Sequence, residues 1–421
     1  MPSSAERERL RGAPGAPVNL RLMSHQPSAS SQIIAGVVEK YDAELIELRR
    51  DIHRHPELSW AETRTTALAA ARVEHAGWQV RRLPETGFVA DLGDPDRMVA
   101  LRADMDALPV QELTGEPWAS QAPGVAHACG HDVHTTALVG AALALAEVHQ
   151  QGELPGGVRL VFQPAEEVMP GGAVHMVAND VLDGVERIFA LHCDPGVDVG
   201  RIGLRAGALT SAADRLEVRL EGTGGHTSRP HLTGDLTFAL AKVTTELPAV
   251  ISRRMDPRAG VSVVWGIVQA GAAPNVIPDR GLVAGTVRIL DAVAWAECEP
   301  IIREAILEIV RPYGVTAIVD YQRGVPPVVN DPASNAVLAA AVHDTLGVHG
   351  QVTVPQSLGG EDYGWYLEQV PGAMARLGTR RPGGPTYDLH QGNLVVDERA
   401  IGIGARVLAT AAIRGLGVAG R

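Results

Sequence analysis

Cys129 and His131 flank a single glycine in the stretch Ala126-His127-Ala128-Cys129-Gly130-His131-Asp132-Val133-His134. A thiolate and an imidazole this close together suit a transition metal better than an apolar core. Taken alone, the stretch reads equally well as a small buried cysteine beside ordinary histidines. Further along, the adjacent carboxylates Glu166 and Glu167 follow the apolar run Val161-Phe162-Gln163-Pro164, and His192 follows Ala190-Leu191. Beside Cys129, His131 and His192 the carboxylate pair acquires separate tasks: one binds a metal while its neighbour takes a proton from water that the metal activates. His390, in Asp388-Leu389-His390, adds an imidazole from the far end of the chain. Five candidate ligands exceed the roughly three protein ligands of a mononuclear catalytic site, so two metals about 3.5–4 Å apart, bridged by the thiolate, fit the count better.

Side chains so far apart in sequence need a scaffold that gathers them. Extended apolar runs at Met98–Leu101, Val158–Phe162 and Ile188–His192 alternate with helical stretches such as Thr135–His149 and Ala173–Val181. That alternation predicts an α/β fold with a mostly parallel sheet sandwiched by helices, in which ligand sites lie beyond the strand ends. A first helix is expected from near Ile33, with Leu45, Ile46, Leu48 and Ile52 at helical spacing, ending at His55-Pro56. From about Ala208 the pattern changes: a strand at Leu216–Leu220, a helix at Leu236–Met255, strands at Val261–Val268 and Leu282–Ile289, a helix at Val293–Tyr313 and a strand at Thr316–Tyr321. This β-α-β-β-α-β order is the signature of a split βαβ, ferredoxin-like unit. The expected division is a disordered tail over 1–32, a catalytic domain over 33–207 and 325–421, and an inserted lid or dimerisation domain over 208–324.

With 421 residues the chain exceeds what one core of about 250–300 residues holds. Aromatic residues make up only 4% of it, so the core is expected to rest on Ala, Val, Leu and Ile. The net charge of −12 argues against nucleic acid and anionic membrane surfaces as partners. Three cysteines, Cys129, Cys193 and Cys298, have no framework spacing, which points to a reducing, cytoplasmic setting. No stretch is read as approaching the ~18 apolar residues of a membrane span.

Seven motifs occur in a fixed order: Arg49-Arg50-Asp51-Ile52-His53-Arg54-His55-Pro56-Glu57-Leu58, Leu101-Arg102-Ala103-Asp104-Met105-Asp106-Ala107-Leu108-Pro109, His127-Ala128-Cys129-Gly130-His131-Asp132, Gln163-Pro164-Ala165-Glu166-Glu167, Gly224-Gly225-His226, Pro274-Asn275-Val276-Ile277-Pro278 and Glu361-Asp362-Tyr363. In this the chain resembles the amidohydrolase branch of the aminoacylase and carboxypeptidase-like metallopeptidases, which includes hippurate hydrolases, N-acyl-amino-acid amidohydrolases and auxin-conjugate hydrolases. The resemblance implies a phosphorylase/hydrolase-like catalytic domain in which Cys129, His131, Glu167, His192 and His390 bind two divalent metals and Glu166 is the general base. It further implies that Asp104 orients a metal ligand and that His226 with Asn275 stabilises the oxyanion. Arg288 suits bidentate recognition of a substrate carboxylate and reads equally as an exposed strand arginine, and the loop Gly359-Gly360-Glu361-Asp362-Tyr363 is expected to line the substrate pocket or to serve simply as a turn and cap. Zinc suits a thiolate ligand, with manganese, cobalt or nickel as alternatives. His53, His55, His127, His134, His175 and His231 are read as structural or surface residues. Gln391-Gly392-Asn393 stands where Ser-Pro is frequent in that branch, and Val133 replaces its usual glycine.

The expected reaction is therefore hydrolysis of the amide in a small N-acyl amino acid or related conjugate, with no nucleic acid or membrane partner and a homodimer formed through the inserted domain. Other readings are a di-metal dipeptidase or carboxypeptidase, a hydrolase with Cys129 as nucleophile, and a catalytically silent metal-binding protein. Arg102, where the peptidase branches carry histidine, favours the amidohydrolase reading. The presence of two glutamates where binding needs one argues against silence.

Overall fold

The computed structural model describes residues 28–418. In chain order the first segment holds α1 (Ala29–Arg54), α2 (Thr63–His75), β1 (Gln79–Arg82), β2 (Phe88–Gly93), β3 (Met98–Asp104), α3 (His131–Gln150), β4 (Gly157–Gln163), α4 (Gly172–Ala178), β5 (Val185–Asp198), β6 (Ile202–Leu204) and β7 (Gly207–Ala208). The middle segment holds β8 (Ala212–Gly222), β9 (Gly225–His226), α5 (Leu236–Arg254), β10 (Ser262–Ala270), β11 (Val276–Ile277), β12 (Arg280–Ile289), α6 (Ala292–Val310) and β13 (Val315–Val325). The last holds β14 (Val329–Asn330), α7 (Pro332–Leu346), β15 (Gln351–Thr353), α8 (Gly364–Leu367), β16 (Gly372–Arg380) and α9 (Arg399–Gly417).

Eight strands form one sheet in the order β1-β2-β4-β3-β5-β16-β6-β15. Its centre, β4-β3-β5-β16, is parallel, and the antiparallel pairs lie towards the margins. Strands β3 and β4 are buried at every position, as expected where helices cover both faces. Phe88 and Phe162 stack across β2 and β4 with ring centroids 4.4 Å apart. A second sheet, β10-β12-β8-β13, is wholly antiparallel and packs on α5 and α6, with Leu216, Val218, Leu240, Val243, Ile302 and Ile306 in its core. Its β8-α5-β10-β12-α6-β13 order is the split βαβ pattern read from the sequence. The capping device is repeated: Asp235, Asp291 and Asp331 each accept a backbone N–H in the first turn of α5, α6 and α7.

Several expectations need correction. The tail expected over 1–32 lies outside the described residues up to residue 27, but Ala29–Gln32 already belong to α1, capped by Ser28. Helix α4 stops at Ala178, short of Val181, because Asp180 turns left-handed (φ 59°). A stretch long and apolar enough by length and composition for a membrane span does exist: α9 has 19 residues and a mean hydropathy of 1.3. Its apolar surface lies inside the fold, since 72% of its most apolar stretch is buried and α9 packs against α1, α3 and α7.

Candidate metal centre

The site forms where the parallel strands end. Strand β3 delivers Asp104 and β4 delivers Gln163, followed by Pro164, Ala165, Glu166 and Glu167, while β5 carries His192. Cys129 precedes Gly130, whose left-handed backbone (φ 90°) starts α3 so that His131 is its first residue. Glycine is required there twice over, by that φ and because a Cβ would stand 2.8 Å from Cys193 Sγ. Two functional candidates sit in or beside strained backbone: Ala165 (φ 53°) precedes Glu166, and His390 itself has φ 63°. Carboxylates hold the first of these turns. Ala165 N–H donates to Glu62 Oε1 at 2.7 Å, and the next two N–H groups, of Glu166 and Glu167, donate to the two oxygens of Asp106 at 3.1 and 3.0 Å.

Cys129, His131, Glu167, His192 and His390 converge, although they span more than half the chain. Their donor atoms fall into two overlapping sets, Cys129/His131/His192 and Cys129/Glu167/His390, each with all atoms within 4.8 Å. Cys129 Sγ is 3.6 Å from His192 Nε2, and Glu167 Oε1 is 3.7 Å from His131 Nε2 and 3.4 Å from His390 Nε2. His131 Nε2 and Glu167 Oε1 are buried with no hydrogen-bond partner. Two orphaned donor atoms facing one another, with a thiol common to both sets, fit two divalent cations.

The electrostatics carry the same message. Burial pushes the Cys129 thiol up, and Glu167 and Glu166 push it further. Burial opposes protonation of His131, yet Asp104, Asp106 and Glu167 raise it to about 10. Burial raises Glu166 well above the usual carboxylate range, with Glu361 and Glu167 adding to it. An excess of negative charge thus recruits protons wherever cations are not supplied. A glutamate so placed, beside the candidate ligands and not needed among them, is suited to taking and giving a proton.

The remaining expected residues divide. Arg288 and Gly360 line a cavity of about 460 Å³ together with Cys129, Glu166, Glu167, His192 and His390. Arg288 Nη1 donates to the Leu358 carbonyl at 2.6 Å, and a Cβ on Gly360 would crowd Ala213 and Val325 at 3.0 Å. His226 and Asn275 do not line that cavity. They sit together on the β9–β11 ribbon, where Thr227 N–H donates to the Asn275 carbonyl at 3.2 Å and the exposed His226 Nδ1 accepts from Ser228.

The match to known proteins follows this architecture. Residues 100–414 match the model of peptidase family M20/M25/M40. The chain belongs to that family. It is a hydrolytic enzyme acting on amides. It is 48% identical over 369 residues to a Rhodococcus jostii (strain RHA1) protein named glutamate–cysteine ligase 2-3, a match that covers 87% of this chain but only 46% of that relative's length. It is 37% identical over 364 residues to the N-acetyl-L-cysteine deacetylase of Bacillus subtilis (strain 168), covering 86% of this chain and 85% of the relative. Among solved structures, the YXEP protein of Bacillus subtilis, described as a dinuclear metal-binding peptidase of the same family, superposes with a TM-score of 0.79 at 32% identity, covering 90% of this chain and 99% of that one.

Within this enzyme the sequence reading missed several supports. Asp104 lies 3.8 Å from His131 Nε2 but is committed elsewhere, accepting from His134 Nδ1 at 2.6 Å and pairing with Arg102 at 2.6 Å. The carboxylate that faces the other nitrogen of His131 is Asp106, with Oδ1 3.3 Å from Nδ1. His134, read as merely structural, braces the site from behind, since its Nε2 accepts the Cys193 N–H at 2.7 Å. Arg102 is fully buried and ties Gln163, Asp104, Glu361 and Asp362 together at 2.6–3.0 Å. Two of those partners, Glu361 and Asp362, bring carboxyl oxygens within 4.8 Å of Glu166.

Proposed function

We propose that this enzyme hydrolyses the amide of small N-acyl amino acids, with Cys129, His131, Glu167, His192 and His390 holding two divalent cations and Glu166 handling the proton. The observation that carries the reading is the pair of ligand sets sharing Cys129, with a second glutamate left over beside them. Such cations, when bound, polarise a carbonyl and make water acidic enough to be deprotonated near neutrality. Glu166 takes a proton from the attacking water and returns it to the leaving nitrogen. Asp106 fixes the backbone of Glu166 and Glu167 and the ring of His131, and Arg288 meets a substrate carboxylate across a cavity wall that Gly360 keeps open. A thiolate-containing donor set favours zinc and also accepts manganese, cobalt or nickel. The deacetylase relative supports an acetyl-sized acyl group. Three free cysteines support a cytoplasmic location.

The segment over 208–324 is read as a lid and dimerisation domain between catalytic parts over 33–207 and 325–421. His226 and Asn275 lie outside the cavity of their own chain, and the edge strand β10 exposes Val264, Ile267 and Val268. Both observations support a homodimer in which a second copy brings His226 to the oxyanion. The substrate reading is tested with metal-reconstituted enzyme on N-acetyl, N-benzoyl and longer N-acyl amino acids and on dipeptides. N-acyl amino acids are expected to be turned over fastest. Faster turnover of dipeptides would support the peptidase reading, and no turnover of any would refute amide hydrolysis here.

A further inference from the structure

Strand β16 carries a cation that makes no hydrogen bond or ion pair with the candidate ligands, although its charge, after burial, helps hold the His192 imidazole down. Arg376 lies directly beside His192 in the parallel β16–β5 register, so the two side chains rise on the same face of the sheet. Its other neighbour is Gly203 of β6, where even a Cβ would approach the Arg376 Cβ at 3.0 Å. Glycine there leaves the arginine stem its space. Among the described residues, the half-buried Arg376 guanidinium has no hydrogen bond and no ion pair. An unpaired, partly desolvated guanidinium with five donors is a ready receptor for a carboxylate.

Its position says which carboxylate. Arg376 lines the metal-centre cavity and also a second cavity of about 660 Å³. The two cavities share Ser357, Arg376, Asp388 and Leu389, so Arg376 stands in the wall between them. None of the five candidate ligands lines the second cavity, and Arg376 is the one cation among its lining residues, against Asp194 and Asp388. Those two acids disfavour any anion and a multiply charged one such as phosphate most, which leaves a single carboxylate, able to meet the guanidinium with two oxygens, as the better-matched ligand.

Building on the reading of the metal centre as an amide-hydrolysing site, we infer that the second cavity is a subsite for a carboxylate on the substrate's tail, held by Arg376 and distinct from whatever Arg288 binds. The natural substrate then bears a second acidic group, on the acyl chain or on the amino-acid side chain. The test is calorimetric titration of the zinc-loaded enzyme with glutarate and with its monoamide, which differ only in the charge of one end, for the wild type, Arg376→Gln and Arg376→Lys, with metal content measured on each sample. The wild type is expected to prefer glutarate at least ~10-fold, Arg376→Gln to fall below ~3-fold, and Arg376→Lys to lie between them. No preference in the wild type, or a preference that survives in Arg376→Gln, overturns the inference. Turnover of N-succinyl-L-methionine and of N-acetyl-L-2-aminoadipate, each against N-acetyl-L-methionine, then tells which half carries the acidic group. The binding arm does not depend on turnover. An Arg376-dependent preference without hydrolysis of any amide refutes the amide-hydrolase reading and keeps the subsite, and hydrolysis without the preference does the reverse.

Discussion

Asp106→Asn removes one of two acceptor oxygens that serve four donors. Oδ1 takes the Glu166 N–H at 3.1 Å and faces His131 Nδ1 at 3.3 Å, while Oδ2 takes the Glu167 N–H at 3.0 Å and the Ser59 hydroxyl at 2.6 Å. The new amide NH₂ must replace one oxygen, and whichever it replaces, a part-buried backbone N–H then points at another donor. One orphaned N–H costs roughly 1–3 kcal/mol, and losing the charge that strengthens the surviving bonds adds about 1 kcal/mol. The expected loss of stability is therefore about 2–4 kcal/mol. Metal affinity should fall in parallel, because a neutral amide supports His131 Nδ1 less well than a carboxylate whichever way it turns, and weakening such a partner of a ligand histidine typically lowers binding by ~10–100-fold. Urea unfolding of chelated protein measures the first quantity, and competition for zinc against a chromophoric chelator measures the second. Ser59→Ala, which removes a single hydroxyl donor, should cost only about 1 kcal/mol and leave zinc affinity nearly intact. If Asp106→Asn stays within about 0.5 kcal/mol of wild type and keeps its zinc affinity within about threefold, the assignment of Asp106 as the support of His131 and of the Glu166–Glu167 turn is wrong.

The two glutamates should separate by metal content: Glu166→Gln keeps near-stoichiometric metal and loses turnover, whereas Glu167→Gln loses metal as well. Equal metal loss in both, by elemental analysis, would contradict the division of labour. His226→Ala should lower kcat by on the order of 10²-fold, the scale of one lost oxyanion donor, with a much smaller effect on KM. Mixing His226→Ala with Glu166→Gln protomers should restore activity in hybrids if the histidine reaches a neighbour's site, and no recovery in verified heterodimers would place it in its own chain's site.

The convergence of the five proposed ligands was legible in part because some of them end or interrupt apolar runs: Gln163-Pro164-Ala165-Glu166-Glu167 leaves β4, and His192 breaks the apolar face of β5. The inserted unit was legible because helical and strand periods alternate cleanly between Ala212 and Val325. The distinction between Asp104 and Asp106 was not. Both lie in one motif, and Asp106 is two residues beyond the end of β3, so its direction depends on a turn that periodicity does not describe. The motif itself was the available signal, with two aspartates where one was given a role. Arg376 was hidden for the opposite reason: it stands alone in the apolar run over residues 372–378 of β16, and only the neighbouring strands reveal that it faces a cavity. The buried Arg102 hub was invisible because its partners Glu361 and Asp362 lie some 260 residues away. Helix α9 shows how composition misleads, since a helix buried on most sides has the apolarity of a membrane span.

The most direct test of the paired-cation reading is a titration of chelated, metal-free enzyme with zinc while N-acetyl-L-methionine hydrolysis is followed. Activity should be absent at the start and rise to a break at two equivalents per chain, and Glu166→Gln should take up the same two equivalents without turnover. Hydrolysis that persists in the chelated enzyme, or a break at one equivalent, would contradict a centre built on two cations sharing Cys129.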